Sequence, residues 1–560
     1  MRKFIPALFL LTFALPCLMQ ADGPASDPKI AVSSDDHGDP VLHAMLVELK
    51  RSQEKLQLGQ LQRPYYIDYQ MTELEDHIAD ATLGALRSDT VNAGRLVRVV
   101  VRIGDYKQDS YYGEGVGTIE VMPIENNELA LRHQLWLATD KAYKAALNGL
   151  TQKQAALKNV ETEDDVADFS QEKPEDSVHE VQKLSVDMDA WKQRLRSTSE
   201  MFRREPTLEN SAAVLDFRLI NRYFVNTEGT VTRSGKTIYS YIFSGSTQAD
   251  DGMRLDRSHG YVVTRAEELP KPEEVKIEAE KLLASFSALK KAPLVEDDYR
   301  GPVLFSADAS TAVLERLFVP NIIGIRPELG STARTRGEFA SAYKNRVLPE
   351  FFTVVDDPKA KQVDGTTLAG SYDVDDEGVE GKSVTLVDKG VLTNYLLGRE
   401  PIRDFPHSNG HGRTALYAAP RAHISNLIVK ASNGLPFEEL RKKLLQMCKN
   451  QGRPYGYYVE TTGPQLAPRL LWRIYVNDGH MELVRGAVFQ EFDTRSLRND
   501  IVAAGNDTFV YNSAEPLPSA IVAPSLLFGE VEIQRATRQR EKLPQYPAPP
   551  LGNTVTTAAK

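Results

Sequence analysis

Residues 348–397 read LPEFFTVVDDPKAKQVDGTTLAGSYDVDDEGVEGKSVTLVDKGVLTNYLL, and this stretch decides the fold of the second half of the chain. Short β-rich runs, at 351–358 and 382–387, alternate here with turns that contain glycine. The Asp-Lys-Gly turn at 388–390 separates two such runs and predicts a β-hairpin. We therefore predict a C-terminal domain made mostly of short antiparallel strands, interrupted by one helix over residues 437–450.

The first half of the chain combines strands with longer helices. Apolar residues at helical spacing predict helices over residues 41–61, 129–157, 188–205 and 270–291, and a short helix over 309–318. Strands are predicted over 65–71, 76–87 and 96–103, with a turn at 92–94. A hairpin or meander is predicted over 215–244 around the turn 226–229. The acidic residues 160–180 indicate a solvated loop. The predicted fold class is α+β, with strands in meanders and helices packed on them.

The 560 residues are too many for one ordinary core, so the length predicts two domains. We place the boundary between them near residues 292–301. This gives an N-terminal α+β domain over 22–295 and a β-rich C-terminal domain over 296–541. Residues 542–560 contain four prolines followed by threonine and alanine, and we expect a disordered tail there.

The N-terminus has the pattern of a secretory signal peptide. Arg2 and Lys3 precede an apolar run over residues 5–15, which is too short to span a bilayer. Cleavage near Ala21 is expected, so the predicted location is the periplasm or the outside medium. No other segment approaches 18 consecutive apolar residues, and we therefore expect no stable membrane insertion.

Charge and cysteine content exclude other classes of protein. The formal net charge is -10, which argues against nonspecific nucleic-acid binding because that requires a basic face. The two cysteines are Cys17 and Cys448. If Cys17 leaves with the signal peptide, no internal disulfide is possible. Cys448 lies in a stretch with helical apolar spacing, where a core thiol is expected rather than a nucleophile.

Several segments, taken in order, resemble the TldD/PmbA (TldE) family. One belongs to the first half, the Asn-Thr-Glu-Gly sequence at 226–229. The others follow in the second half, at residues 348–358, 373–381, 384–397, 408–413, 419–426 and 504–507. The family contains peptidases that cut small or unfolded peptides and are assembled from a TldD-like and a TldE-like subunit. The resemblance therefore implies an extended peptide substrate and either a TldD-like partner or a homodimer.

The zinc ligands of the TldD-like subunit are missing from the corresponding positions. That subunit carries two histidines four residues apart on one helix, with a glutamate between them, and a later cysteine ligand. Here residues 308–318 contain no histidine, and Glu315 is the one carboxylate beyond Asp308. No cysteine follows residues 505–507. We expect no zinc and no catalytic residue in this chain, as in the TldE-like subunit, and we expect the zinc in a partner subunit.

The candidate substrate-binding residues are His407, His411, Arg413, Arg421 and Asn506. The two histidines have four-residue spacing, but Asn-Gly between them and the preceding proline indicate a loop, so the helical meaning of the spacing is lost. The arginines could hold a peptide carboxylate, since a guanidinium offers a rigid fork of donors. An internal pairing of an arginine with the acidic residues 373–377 is an equal alternative. That acidic stretch does not fit a calcium loop and is interpreted as a solvated turn.

Three functions remain open at this point. The first is a TldE-like subunit, without zinc, of an exported peptidase complex, which would grip extended peptide. The second is an envelope scaffold or peptide-binding protein without peptidase activity. The third is an active peptidase with relocated metal ligands, since fold resemblance alone does not decide function.

Overall fold

The first half of the chain is built around one large sheet of long antiparallel strands. The computed structural model describes residues 32–111, 117–160, 166–296 and 298–536. The sheet has the order β3-β2-β1-β5-β6-β4, and β7 also pairs with β6. Its strands are β1 (Pro64–Thr82), β2 (Ala85–Ile103), β3 (Thr118–Val121), β4 (Asp176–Val178), β5 (Asn210–Asn226), β6 (Val231–Gln248) and β7 (Arg254–Val263).

The strands β1 and β2 are longer than the sequence predicted, and they correct two expectations. They pair from Pro64–Ile103 to Thr82–Ala85, so the expected strand over 76–87 is in fact the end of one strand, a tight turn and the start of the next. The expected turn at 92–94 is wrong, because Gly94 lies within β2 opposite Leu74. Regular cross-strand pairing satisfies the backbone there, and this overrides the local turn preference of Asn-Ala-Gly.

The predicted hairpin around residues 226–229 is confirmed as β5 and β6. The side chain of Asn226 accepts hydrogen bonds from the backbone N–H groups of Glu228 and Thr230, at 3.0 and 2.9 Å. Gly229 has a φ of +101°, a conformation that favours glycine. These contacts close the turn between the two strands.

Helices cover parts of this sheet and recur in the second half. The predicted helices are confirmed, except that the first ends at Lys55 rather than near residue 61 and the third ends at Met201 before a short 3₁₀ turn. The helices are α1 (Pro40–Lys55), α2 (Glu128–Leu157), α3 (Met188–Met201), α4 (Pro272–Lys291), α5 (Ala307–Leu317), α6 (Val319–Ile322), α7 (Phe437–Asn450) and α8 (Thr494–Asn499). Helices α1 and α2 share one apolar cluster with β1 and β2, whereas α3 and α4 share another with β5 and β6.

The second half contains two larger sheets and two short ribbons, and its predicted β-rich, mostly antiparallel character is confirmed. One sheet has the order β13-β12-β9-β16-β23-β22, and the other has the order β19-β18-β17-β8-β24-β20, with β21 beside β24. The ribbons pair β10 with β11 and β14 with β15. The strands are β8 (Tyr299–Phe305), β9 (Phe352–Asp356), β10 (Gln362–Val363), β11 (Thr366–Thr367), β12 (Val384–Asp388), β13 (Val391–Leu392), β14 (Gly412–Arg413), β15 (Arg421–Ala422), β16 (Asn426–Ala431), β17 (Tyr455–Thr462), β18 (Pro468–Tyr475), β19 (Met481–Val484), β20 (Ala487–Gln490), β21 (Ile501–Ala504), β22 (Phe509–Ser513), β23 (Ser519–Ala523) and β24 (Leu526–Arg535).

The solvated loop predicted over 160–180 agrees with the exposed and half-buried residues 171–180 but is wrong for residues 168–170. Phe169 and Ser170 are buried, and Asp168 is close to fully buried. Arg399 donates to the Ser170 carbonyl oxygen and pairs through both terminal nitrogens with Glu228. The buried guanidinium of Arg399 needs hydrogen-bond acceptors, and the Ser170 carbonyl oxygen is one of them. This contact holds residues 168–170 against the second half of the chain.

Three expectations concern the termini and the domain limits. The signal peptide over 1–21 and the tail over 542–560 lie outside the described residues. The boundary near 292–301 stays a prediction. Within the described residues, no helix combines the length and the apolar character needed to cross a bilayer.

Candidate functional site

Helix α5 stands where the resemblance expects the zinc-binding helix. Ser306 caps the N-terminus of this helix. Its side chain accepts a hydrogen bond from the Ala309 N–H at 2.9 Å and donates one to the Glu460 carbonyl oxygen at 2.7 Å. The helix has no histidine. Asp308 is partly buried, and burial raises the pKa of its carboxyl group while Arg257 opposes the rise. Glu315 is exposed. Two carboxylates seven residues apart do not reproduce a pair of imidazoles on one helical face.

The downstream segment supplies no thiolate. Asp507 accepts hydrogen bonds from the backbone N–H and the hydroxyl of Ser525, at 3.0 and 2.5 Å. The following strand, β22, contains no cysteine. Cys448 lies on α7 instead, where it is fully buried among apolar side chains. Burial raises the pKa of its thiol to about 11, so it is an inert core residue, as expected.

Potential metal ligands converge at another place on the molecule. Among the described residues, one group of three such side chains has its ligand atoms close together, Asp35, His37 and Asp176. All three are exposed, and none belongs to α5 or to the segment after Gly505. This group resembles neither the position nor the ligand set of the family zinc site.

Hydrogen bonds and close packing hold the loop at residues 408–413 in place. His411 is fully buried, and its Nε2 lies 3.0 Å from Oδ1 of Asp356 on β9. Its Nδ1 lies 3.0 Å from the Asn409 side-chain oxygen. Gly410 has a φ of +75°, and a Cβ atom there would stand 2.0 Å from the Glu380 carbonyl oxygen. Both the histidine and the glycine therefore hold the loop against the sheet.

The five predicted site residues do not form one cluster. His407 has 69% of its side chain exposed, whereas His411 is buried, so the pair does not converge on a common ligand. Arg421 and Asn506 are exposed on different segments. Arg413 is 6% exposed and contacts Asp376, so the alternative of an internal pair applies to it. A substrate-binding role for these five residues stays a prediction.

The acidic stretch 373–377 is not the solvated turn that the sequence predicted. Asp373 is exposed, but Asp375 is buried and accepts from the backbone N–H groups of Glu377, Val379 and Gly412. Asp376 binds the guanidinium of Arg222 and the Thr414 N–H. Tertiary contacts with β5 and with the loop 412–414 bury these charges, and composition alone does not reveal such contacts.

A cavity of about 610 Å³ lies between the two halves, beside this acidic stretch. Its first wall is the hairpin β5–β6, and its second is formed by residues 358–376 together with Arg413. Cross-strand pairing places Ile220 opposite Lys236 and Arg222 opposite Ser234, so these side chains share one face. The volume lies in the range typical of small-molecule sites.

Sequence analysis missed Arg222 and Lys236, which line this cavity together with Arg413. One signal was present, since Ile220, Arg222 and Phe224 alternate along β5 and would face one side together. That alternation predicts a face but not what covers it. The covering segment comes from more than 120 residues further along the chain, so only the tertiary structure shows the cavity.

The second half of the chain matches a known protein family, and most of the chain matches solved structures in fold. Residues 298–535 match the family described as the PmbA/TldA metallopeptidase C-terminal domain. A structure of TldE from Thermococcus kodakarensis aligns with a TM-score of 0.56 at 12% identity, covering 84% of this chain and 96% of that one. A candidate modulator of a DNA gyrase from Thermotoga maritima aligns with a TM-score of 0.57 at 16% identity, covering 84% and 96%.

Part of the chain is also similar in sequence to a protein named as a metalloprotease. The chain is 33% identical over 128 residues to metalloprotease MJ0996 of Methanocaldococcus jannaschii, which is 23% of this chain. The match spans 27% of the length of that relative. Residues 298–535 therefore contain a C-terminal domain of the PmbA/TldD type, and the resemblance inferred from the sequence is confirmed.

Proposed function

We propose that this chain is an exported, TldE-like subunit of a peptidase complex and holds no catalytic zinc itself. One observation carries the proposal: α5 offers no imidazole, and the segment after Gly505 offers no thiolate. A water molecule cannot be activated at this place by the family's chemistry, because three protein ligands are needed to hold a catalytic zinc. The positive charge and apolar run at residues 2–15 support export.

The role that remains for such a subunit is to shape the chamber and hold extended peptide. Backbone pairing with an exposed strand would hold a peptide without reading its side chains. The TldD-like partner would contribute the zinc. This division explains why the family fold is retained in a chain whose α5 has no histidine and whose β22 has no cysteine.

Co-purification with metal analysis of each subunit tests the proposal. The tagged chain should recover a partner that carries an intact His-Glu-x-x-x-His helix, with zinc in the partner and well under one ion in this chain. Recovery of the chain alone, without any such partner, would support the scaffold alternative. Stoichiometric zinc on the isolated chain, together with peptide cleavage, would overturn the proposal and favour relocated ligands.

A further inference from the structure

Three basic side chains, Arg222, Lys236 and Arg413, lie together on one part of the wall of the cavity between the two halves. The positive charge there exceeds the negative charge. Lys236 donates to the Ser371 carbonyl oxygen at 2.9 Å, and Arg222 donates to the Thr414 carbonyl oxygen at 2.8 Å. Arg413 lies with its guanidinium 4.2 Å from the ring centre of Tyr372. Arg222 and Arg413 share a single carboxylate partner, Asp376.

The carboxylates beside these basic residues do not balance them. Burial opposes ionisation of Asp376, but Arg222 and Arg413 outweigh it and lower the pKa to about 2, so Asp376 carries one full negative charge. Asp375 accepts hydrogen bonds from the backbone N–H groups of Glu377, Val379 and Gly412. Burial, followed by nearby Glu377, raises the pKa of Asp375.

Lys236 adds a third basic group to this wall of the cavity. Burial, and then the positive charge of Arg413, lowers the pKa of its ammonium group to about 7. In addition, Nη1 of Arg413 and Nε of Arg222 have no hydrogen-bond acceptor among the described residues. These two atoms are themselves closed to solvent, so an anion in the cavity would stabilise the guanidinium groups through its charge and not as an acceptor for these atoms.

The remaining lining of the cavity is suited to an organic molecule. Ile220 and Phe224 come from the same face of β5 as Arg222, and Pro358, Leu368 and Tyr372 add apolar surface from the second half. An inorganic ion would leave this surface unused. A ligand with a charged end and an apolar body would cover both parts of the lining.

We propose that this cavity binds an organic carboxylate, with the charged group near Arg413, Arg222 and Lys236 and the apolar part against Ile220 and Phe224. The carboxylate can belong to a free organic acid or to the C-terminus of a short peptide. Both present the same planar anion, which the fork of a guanidinium matches. The site does not depend on a peptidase partner, so this proposal and the proposed function fail independently.

Titration calorimetry on the full chain at neutral pH tests the proposal with two matched pairs of probes. The first pair is hippurate and its amide, and the second is the tripeptide Ala-Ala-Phe and its C-terminal amide. Each acid should bind at least about tenfold more tightly than its amide, the loss expected when one charged contact worth about 1.4 kcal/mol disappears. Binding of hippurate alone would assign the cavity to free acids, and binding of both acids would include peptide ends.

Variants locate the binding. Lys236→Gln and Arg413→Lys should each weaken binding of the acids at least about fivefold and leave binding of the amides unchanged. Lys236 makes a single backbone contact, so its variant keeps the test valid if the Arg413 variant fails to fold. Lys442→Gln, on the exposed side of α7, is the control and should bind as the original chain does. Equal binding of acids and amides, no binding of either acid, or variants that bind the acids normally would overturn the proposal.

Discussion

Arg399 shows what one residue contributes to this molecule. It is 1% exposed and contacts Glu228 of the first half, the Ser170 carbonyl oxygen and the ring of Phe169. Arg399→Ala should lower the free energy of unfolding by about 3–5 kcal/mol, because it leaves Glu228 buried without its partner. Urea denaturation measures the change. Arg346→Ala, at an exposed pair 3.6 Å from Glu350, should change it by less than about 1 kcal/mol, and similar losses for both would contradict this account.

Lys236 makes stability depend on pH. Its folded-state pKa of about 7 lies below its ordinary value of 10.5, so between these values the unfolded chain binds more protons. Stability should therefore rise with pH across this window, by at most about 1.4 kcal/mol per pH unit from this group. Thermal unfolding of the original chain and of Lys236→Gln at several pH values measures the difference. The original chain should gain on the variant as the pH rises, and parallel profiles would show that burial of Lys236 does not perturb its titration.

At the scale of elements, the loop 408–413 depends on a glycine. Gly410→Ala should destabilise the protein by about 1–3 kcal/mol or more, because it adds a clash with the Glu380 carbonyl oxygen to the strain of a positive φ. Gly365→Ala is the matched control, since Gly365 has a φ of +82° but no atom within 4 Å of the added carbon. That control should cost only about 1–2 kcal/mol. Chemical denaturation compares the two, and equal losses would mean that the loop moves to accept the methyl group.

At the scale of the whole molecule, polar contacts join the two halves at several places. Arg485 binds Asp251 at 2.9 Å, Arg218 binds Glu515 at 2.5 Å, and Arg257 donates to Thr461 at 2.7 Å. Because of these contacts and those of Arg399, we expect the two halves to bind each other. Residues 32–295 and 296–536, expressed together as separate chains, should purify as a 1:1 pair. Size exclusion with subunit quantification measures this. The same pair carrying Arg399→Ala should separate more readily, and independent elution of the unaltered halves would contradict the prediction.

Local pattern was enough to predict most of the elements. The spacing of apolar residues predicted the helices, and the turns at 226–229 and 388–390 predicted two hairpins, because these signals act within a few residues. Prediction from local pattern failed at residues 92–94, where the pairing of β2 with β1 overrode the turn preference. Local pattern also failed at residues 168–170 and 373–377, where Asp168 and Asp375 are buried by partners distant in the chain.

The sequence by itself determined the α+β class, the resemblance to the TldD/PmbA family and the absence of histidine from residues 308–318, because each depends on residue type and order alone. Only the tertiary structure decided that Arg413 pairs internally, that His407 and His411 point to different environments, and that Lys236 and Arg222 share a cavity. The physical reason is that burial and charge pairing depend on contacts between segments far apart in the chain. Arg413 and Arg222 both bind Asp376, although they lie far apart in the sequence and no local pattern predicts their proximity.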